Sequence, residues 1–259
     1  MTNATQSDLD TREYALRLGD DALILGQRLC EWSARAPQIE EDVALLNIAL
    51  DLIGQARSLL TRAGELKGPD GATSDEDELA FIREEPDFRC GLIVQTDNGD
   101  FGQTMARQLL ISAYQFPLWQ GLTSSTDEVL AGVAGKAVKE VEYHLDHARG
   151  WVIRLGDGTA ESHRRVQAGL ENVWPYTFEL FETDPLVDRL VERGVAADPD
   201  AIRLAWESTI REVLADATLQ VPETNWRPTG GRSGRHLTGF GYLLAEMQHL
   251  HRSHVGAQW

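Results

Sequence analysis

The residues best suited to chemistry lie between Lys136 and Trp151, in the run KAVKEVEYHLDHARGW. No Gly or Pro interrupts it before Gly150, so it reads as a helix. Set His144 at zero on a wheel of about 100° per residue, and Val133, Ala137, Ala148, Trp151 and Leu155 fall within about 40° of it. Glu140 lies on the edge of that stripe with His147 beside it. Lys139, Glu142, Asp146 and Arg149 point the other way. An inward Glu and His suggest a metal–carboxylate bundle, where a Glu-x-x-His pair sets two ligands one turn apart. The spacing misses that pattern. Glu140 and His144 are four residues apart, and Tyr143 and Val141 hold the places where an i, i+3 partner would stand.

A di-iron site needs one Glu from each of two helices and Glu-x-x-His from each of the other two. At matching depth the first helix offers Glu31. The second offers Asn47 and Leu50 at the pair positions, with Asp51 next door. The third offers Gln108 or Ser112, and the fourth Glu140 or His144 but not both in register. The set cannot be assembled, so the sequence predicts no catalytic residue, no metal ligand and no cofactor in this chain. Glu31, Asp51, Glu140 and His144 are expected to form a hydrogen-bonded polar core, with surface positions for some of them as the alternative.

A second candidate is Thr229-Gly-Gly-Arg-Ser-Gly-Arg-His236. It gathers backbone freedom and positive charge in an acidic chain. Arg232, Arg235 and His236 there suit an anion such as a phosphate, or an acidic partner surface. A flexible inter-helix loop is the competing reading. The P-loop spacing is absent, as are a nucleophile elbow and a dinucleotide fingerprint. His249, His251 and His254 read as a surface set.

The elements that must position these residues are helical. After a loose tail over 1–9, a helix runs from Asp10 to about Ala36, with Leu18, Ala22, Leu25, Leu29 and Trp32 as its seam. The second, about 38–65, is apolar on most sides. Ile39, Val43, Leu46, Leu50, Ile53 and Leu60 form one seam, and Asn47, Asp51, Gln55 and Ser58 a narrow polar stripe. That stripe reads as solvent face in preference to a polar patch inside the bundle. Residues 66–99 form a long insertion between core helices. Within it Asp75–Glu84 reads as a short acidic helix, and Leu92-Ile93-Val94 as either strand or helix. The third helix, about 100–122, carries Pro117, which should kink or break it. The fourth is Asp127–Leu155. A fifth, about 161–182, is kinked at Pro175, a sixth opens at Asp198-Pro199, and a last one holds Phe240 to Leu250. The fold class is all-α: a four-helix bundle core with additional C-terminal helices, in one domain spanning 1–259.

Composition sets the outer limits. The 259 residues carry a net charge of −17, which disfavours nucleic acid or an anionic membrane as partner. Two cysteines and a polar, acidic N-terminus point to a cytoplasmic protein without a disulfide framework.

Several stretches together resemble a known family. Tyr14–Trp32 (YALRLGDDALILGQRLCEW), Asn47–Arg57 (NIALDLIGQAR), Lys136–His144, Arg149-Gly-Trp151, Leu244–Gln248 and the terminal Gln258-Trp259 are similar to the C subunits of the phenylacetyl-CoA ring epoxidases. The resemblance runs from about Tyr14 to the end. It implies a ferritin-like bundle and a structural role in a bacterial monooxygenase of aerobic phenylacetate breakdown. It implies as partners the catalytic subunit that holds the di-iron centre, other epoxidase subunits, and a reductase using NADPH, flavin and an iron–sulfur cluster. A homodimer of the isolated chain is a further expectation. In the register of the resemblance Val141 and His144 take the places of the fourth-helix pair, and Asn47 and Leu50 those of the second. Glu31, Asn47, Asp51, Glu140 and His144 are then remnants of a lost site, and no catalytic residue carries over. A self-sufficient ferritin-like di-iron oxidase is the alternative.

Overall fold

The computed structural model describes residues 5–254, 256 and 257. It is a ferritin-like helical bundle, with no strand among the described residues. Helix α1 (Gln6–Cys30) starts earlier than the sequence predicts. Thr5 and Asp8 form a capping box ahead of Asp10, so residues 6–9 belong to the helix and not to a tail. Residues 1–4, and the terminal pair that contributes to the resemblance, lie outside the described residues. Helix α1 also stops sooner than Ala36. The chain turns at Trp32–Arg35, with Ala34 in the left-handed region at φ 61°. Helix α2 (Ile39–Glu65) returns antiparallel along α1.

Residues 66–99 hold helix α3 (Glu76–Phe81), a 3-10 turn at Glu85–Asp87 and helix α4 (Leu92–Gln95). Asp75 and Glu78 cap α3 reciprocally, and the apolar run at 92–94 is helical. Phe88, Cys90, Leu92, Ile93 and Val94 are buried, so the insertion is part of the core.

Helix α5 (Phe101–Leu122), capped by Asp100, runs unbroken through Pro117. The missing N–H costs one ladder bond, but Leu118 and Trp119 beside it are buried and hold the segment in place. Helix α6 (Glu128–Gly156) begins at Asp127, whose carboxylate accepts from the N–H groups of Val129 and Leu130. It packs on α5 and α2 to complete the bundle. The fifth predicted helix divides at its proline into α7 (Ala160–Val173) and a 3-10 segment over Trp174–Phe181. Helix α8 (Pro185–Glu192) escapes the periodicity analysis, though Asp184-Pro185 is the same cap-and-proline start as Asp198-Pro199. Helices α9 (Pro199–Asp216) and α10 (Phe240–Ser253) follow. His251 stacks on Phe81 with ring centroids 5.1 Å apart, and His249 and His254 are exposed.

The insertion and the C-terminal loop are bound to α1 by buried charge. Asp20 accepts a forked pair of bonds from Arg83 and one from the Arg89 N–H at 2.7 Å. Asp21 accepts from the Gly91 N–H at 2.7 Å and from both Nη atoms of Arg232, at 2.9 and 2.7 Å. Glu179 takes the N–H groups of Leu92, Gly230 and Gly231 at 2.5, 2.8 and 2.7 Å. Burial pushes the Asp21 and Glu179 carboxyls up from their ordinary range, against the pull of Arg232. Burial also opposes the charge on Arg232, but Asp21 more than offsets it and raises its pKa.

Removing one side of such a pair strands the other in low dielectric. Asp21→Ala is therefore expected to lower unfolding stability by about 3–5 kcal/mol, read by urea denaturation. Asp21→Leu combined with Arg232→Met should cost less than Asp21→Ala alone. Equal stability of Asp21→Ala and the native chain would show that the pair does not hold the loop.

Candidate functional site

The buried stripe of α6 is Leu130, Ala134, Ala137, Val141, His144, Ala148 and Val152. Small side chains on either side of His144 let α2 approach, and the ring is 1% exposed. Val133, Trp151 and Leu155 lie at the half-buried margin of that stripe.

Across from it, α2 supplies a ladder of polar partners. His144 Nε2 meets Asp51 Oδ2 at 3.1 Å. One turn earlier on α6, Glu140 accepts from Gln55 Nε2 at 2.9 Å and pairs with Lys136 Nζ at 2.9 Å. One turn later His147 Nε2 meets Glu41 Oε2 at 2.8 Å. At the far end Arg62 Nη2 donates to Asp127 Oδ2 at 2.7 Å. The predicted polar stripe of α2 is thus divided. Gln55 is buried against α6 and the half-exposed Asp51 reaches His144, while Asn47 and Ser58 are exposed. A buried polar group needs a partner, and only the first two reach one on α6.

Glu31 is elsewhere. It caps the C-terminus of α1, accepting from Arg28 Nη1 at 2.9 Å and Asn98 Nδ2 at 2.9 Å. Beside it is the buried Arg107 of α5, bound to Thr96 O at 2.6 Å and Asn98 Oδ1 at 2.5 Å. Burial, then the neighbouring Arg28, brings the Arg107 pKa down to about 9. Two guanidiniums around one carboxylate make a poor place for a metal cation.

Di-iron does not fit these residues. Glu140, His144 and Asp51 share one interface, but Glu31 is with the arginines, Asn47 and Leu50 are exposed, and α5 offers the buried amides Gln108 and Gln115 and the hydroxyl of Ser112. Among the described residues no three His, Cys, Asp or Glu side chains converge as a metal would require. Gln55, Glu41 and Arg62 were not among the sequence candidates as partners. The signal of Gln55 and Arg62 is legible in retrospect, since both lie on the arc of α2 that carries Asp51, whereas Glu41 lies off it.

The Gly-rich loop is occupied internally. It does bind anions, but they belong to this chain: Glu179 for the backbone N–H groups of Gly230 and Gly231, and Asp21 for Arg232. Arg232 is therefore not available as an outer contact. A Cβ on Gly231 would lie 2.3 Å from the Cys90 carbonyl oxygen, so the loop docks closely on the insertion and is not a free linker. His236 meets Gln95 Nε2 at 2.9 Å and stacks on Phe240, and Arg235 is exposed.

Burial lowers the pKa of His144; Asp51 and Glu140 pull it up without reversing the shift, and His147 lowers it further. The unfolded chain then takes up this proton more readily than the folded one. Stability from His144 is present above its ordinary value, about 6.5, and is lost as pH falls below it. His144→Asn should flatten the decline in denaturant midpoint between pH 7 and pH 5. An unchanged slope would place the pH dependence in other groups.

A family model described as "Phenylacetic acid catabolic protein" matches residues 1–259. The chain is similar to the C subunit of the 1,2-phenylacetyl-CoA epoxidase of Escherichia coli (strain K12), with 46% identity over 246 residues, 95% of this chain and 98% of that relative. The matches extend over nearly the whole of both chains, and the chain belongs to the phenylacetic acid catabolic protein family.

Proposed function

We propose that this chain is the structural subunit of a 1,2-phenylacetyl-CoA epoxidase in aerobic phenylacetate catabolism, working in the cytoplasm beside a catalytic subunit that carries the di-iron centre. One observation carries the reading. The donors that a bundle-type metal site would use are closed into separate pairs: His144 with Asp51, Glu140 with Gln55 and Lys136, Glu31 with Arg28 and Asn98. Identity to the C subunit of such an epoxidase over nearly the full length supports the same conclusion. In this reading the α2–α6 ladder keeps the bundle in register without a metal, and iron, flavin, iron–sulfur and NADPH are handled by the catalytic and reductase subunits.

Two measurements test it. The purified chain should hold iron far below one equivalent by elemental analysis; stoichiometric iron would sink the reading in favour of a self-sufficient oxidase. Co-expressed with the cognate catalytic subunit, the chain should elute with it in size-exclusion chromatography at micromolar concentration. Separate elution of the two would leave no heteromeric role.

A further inference from the structure

The proline that divides the fifth predicted helix also shapes a cavity. At Pro175 the chain tightens from α7 into the 3-10 segment, where side chains three residues apart lie in rows. Trp174 with Thr177, and Phe178 with Phe181, then face α9 together. Helix α9 meets them with Trp206 and Ile210, one turn apart. Between the two elements lies a cavity of about 300 Å³. Its floor is buried and aromatic. The Trp206 ring lies 5.6 Å from that of Trp174 and 5.1 Å from that of Phe181. Two polar groups of the floor are bonded within the chain: Trp206 Nε1 donates to the Leu110 carbonyl at 2.9 Å, and Thr177 Oγ1 to the Trp174 carbonyl at 2.7 Å.

The mouth is charged. Arg203, Glu207 and Arg211 recur one turn apart on α9 and are exposed. The Arg203 guanidinium lies over the Phe181 ring, 5.1 Å from its centroid, and donates to the Phe181 carbonyl at 3.3 Å, a neutral acceptor. A third guanidinium, that of Arg227, lies 4.2 Å from the centroid of Phe178. Among the described residues no carboxylate comes within ion-pair distance of these three arginines, and Arg211 has no hydrogen-bond partner although Glu207 precedes it by one turn. In a chain of net charge −17 this is unusual: Arg17, Arg83, Arg189 and Arg232 are each held by a carboxylate.

We infer that this cavity binds a small aromatic carboxylate, one ring with a short acidic arm. The ring lies on the Trp174–Trp206 floor and the carboxylate on Arg211 at the mouth, with Arg203 beside it. Size limits the ligand. An apolar cavity of roughly 150 Å³ takes up benzene, so about 300 Å³ holds a ring and its arm but no nucleotide. Charge selects within that size. A guanidinium fork matches a carboxylate and gives up its water readily. A cationic ligand, which aromatic walls otherwise attract, would meet arginines already lying over Phe178 and Phe181. Glu207 opposes the carboxylate and holds the affinity down. The inference does not depend on the structural role proposed above.

The test titrates the full chain with hydrocinnamate by calorimetry, with tryptophan emission as a second signal. One saturable site is expected, with Kd between about 10 µM and 1 mM for a ligand of this size. Hydrocinnamyl alcohol has the same ring and arm without the charge, and propionate has the charge without the ring. Each should bind at least about tenfold more weakly. Arg211→Glu alters an exposed residue with no partner in the chain, so helical content should stay native while binding weakens at least about tenfold. Glu207→Gln should tighten binding about twofold or more by removing the opposing charge. Arg235→Gln, at an exposed arginine outside the cavity, should bind as the native chain does. Should Arg211→Glu lose helical content, Glu207→Gln decides in its place. The proposal is overturned by the absence of saturable binding up to about 10 mM, by equal binding of either analogue, or by native affinity in folded Arg211→Glu or in Glu207→Gln.

Discussion

Two adjacent carboxylates buried in the middle of α1 set the terms for the rest of the molecule. Asp20 and Asp21 are nearly inaccessible to water, and an uncompensated charge there would be prohibitively costly. Each must be met by donors brought from elsewhere in the chain. Arg83 and the N–H groups of Arg89 and Gly91 come from the insertion, and Arg232 comes from the loop before α10. Glu179 closes the same knot from the other side by taking N–H groups from both segments. The bundle of α1, α2, α5 and α6 can be described without these segments, but α1 cannot be buried without them. The demand of two acids for partners is what turns residues 66–99 and 229–236 into structure.

The α2–α6 interface obeys the same rule with weaker charges. Polar side chains meet there across a pair of antiparallel helices, from Glu41 and His147 at one end to Arg62 and Asp127 at the other. A metal centre in this kind of bundle draws donors from several helices toward one point. Here the donors point across a single interface, and those of α1 and α5 are engaged elsewhere or are amides. An interface of this type holds register and excludes water.

Much of the fold was legible in the sequence. The apolar repeats of α1, α2, α5 and α6, the proline starts and the inward His144 all follow from local spacing and backbone chemistry. The seam through Ile39, Val43, Leu46, Leu50 and Ile53 was equally legible as a seam. Periodicity reports that a face is apolar, not what covers it, so an intramolecular contact and an exposed strip read alike. The sequence places the start of α1 at Asp10, and the reciprocal cap of Thr5 and Asp8 moves it forward to Gln6. Helix α8 was missed because its eight residues are shorter than the window over which a helical period is read, although Leu186, Val187, Leu190 and Val191 share a face and Asp184-Pro185 announced it.

The site divides along the same line. Residue types and spacing by themselves show that α2, α5 and α6 carry no Glu-x-x-His pair; the one at Glu246 and His249 lies on α10 with both side chains exposed. They left the Gly-Gly-Arg-Ser-Gly-Arg segment open between an anion contact and a flexible inter-helix loop. Only the tertiary structure decided which anions: Asp21 and Glu179 of the same chain, distant in sequence and adjacent in space. It likewise decided that Asp51 and Gln55 face α6 while Asn47 and Ser58, on the same stripe, face water. Pairing of this kind depends on which helix lies alongside and at what register, and no local pattern encodes that. The stretch around His144 was marked by its own sequence as inward and polar; that its partner across the interface is Asp51 was decided by the position of α2.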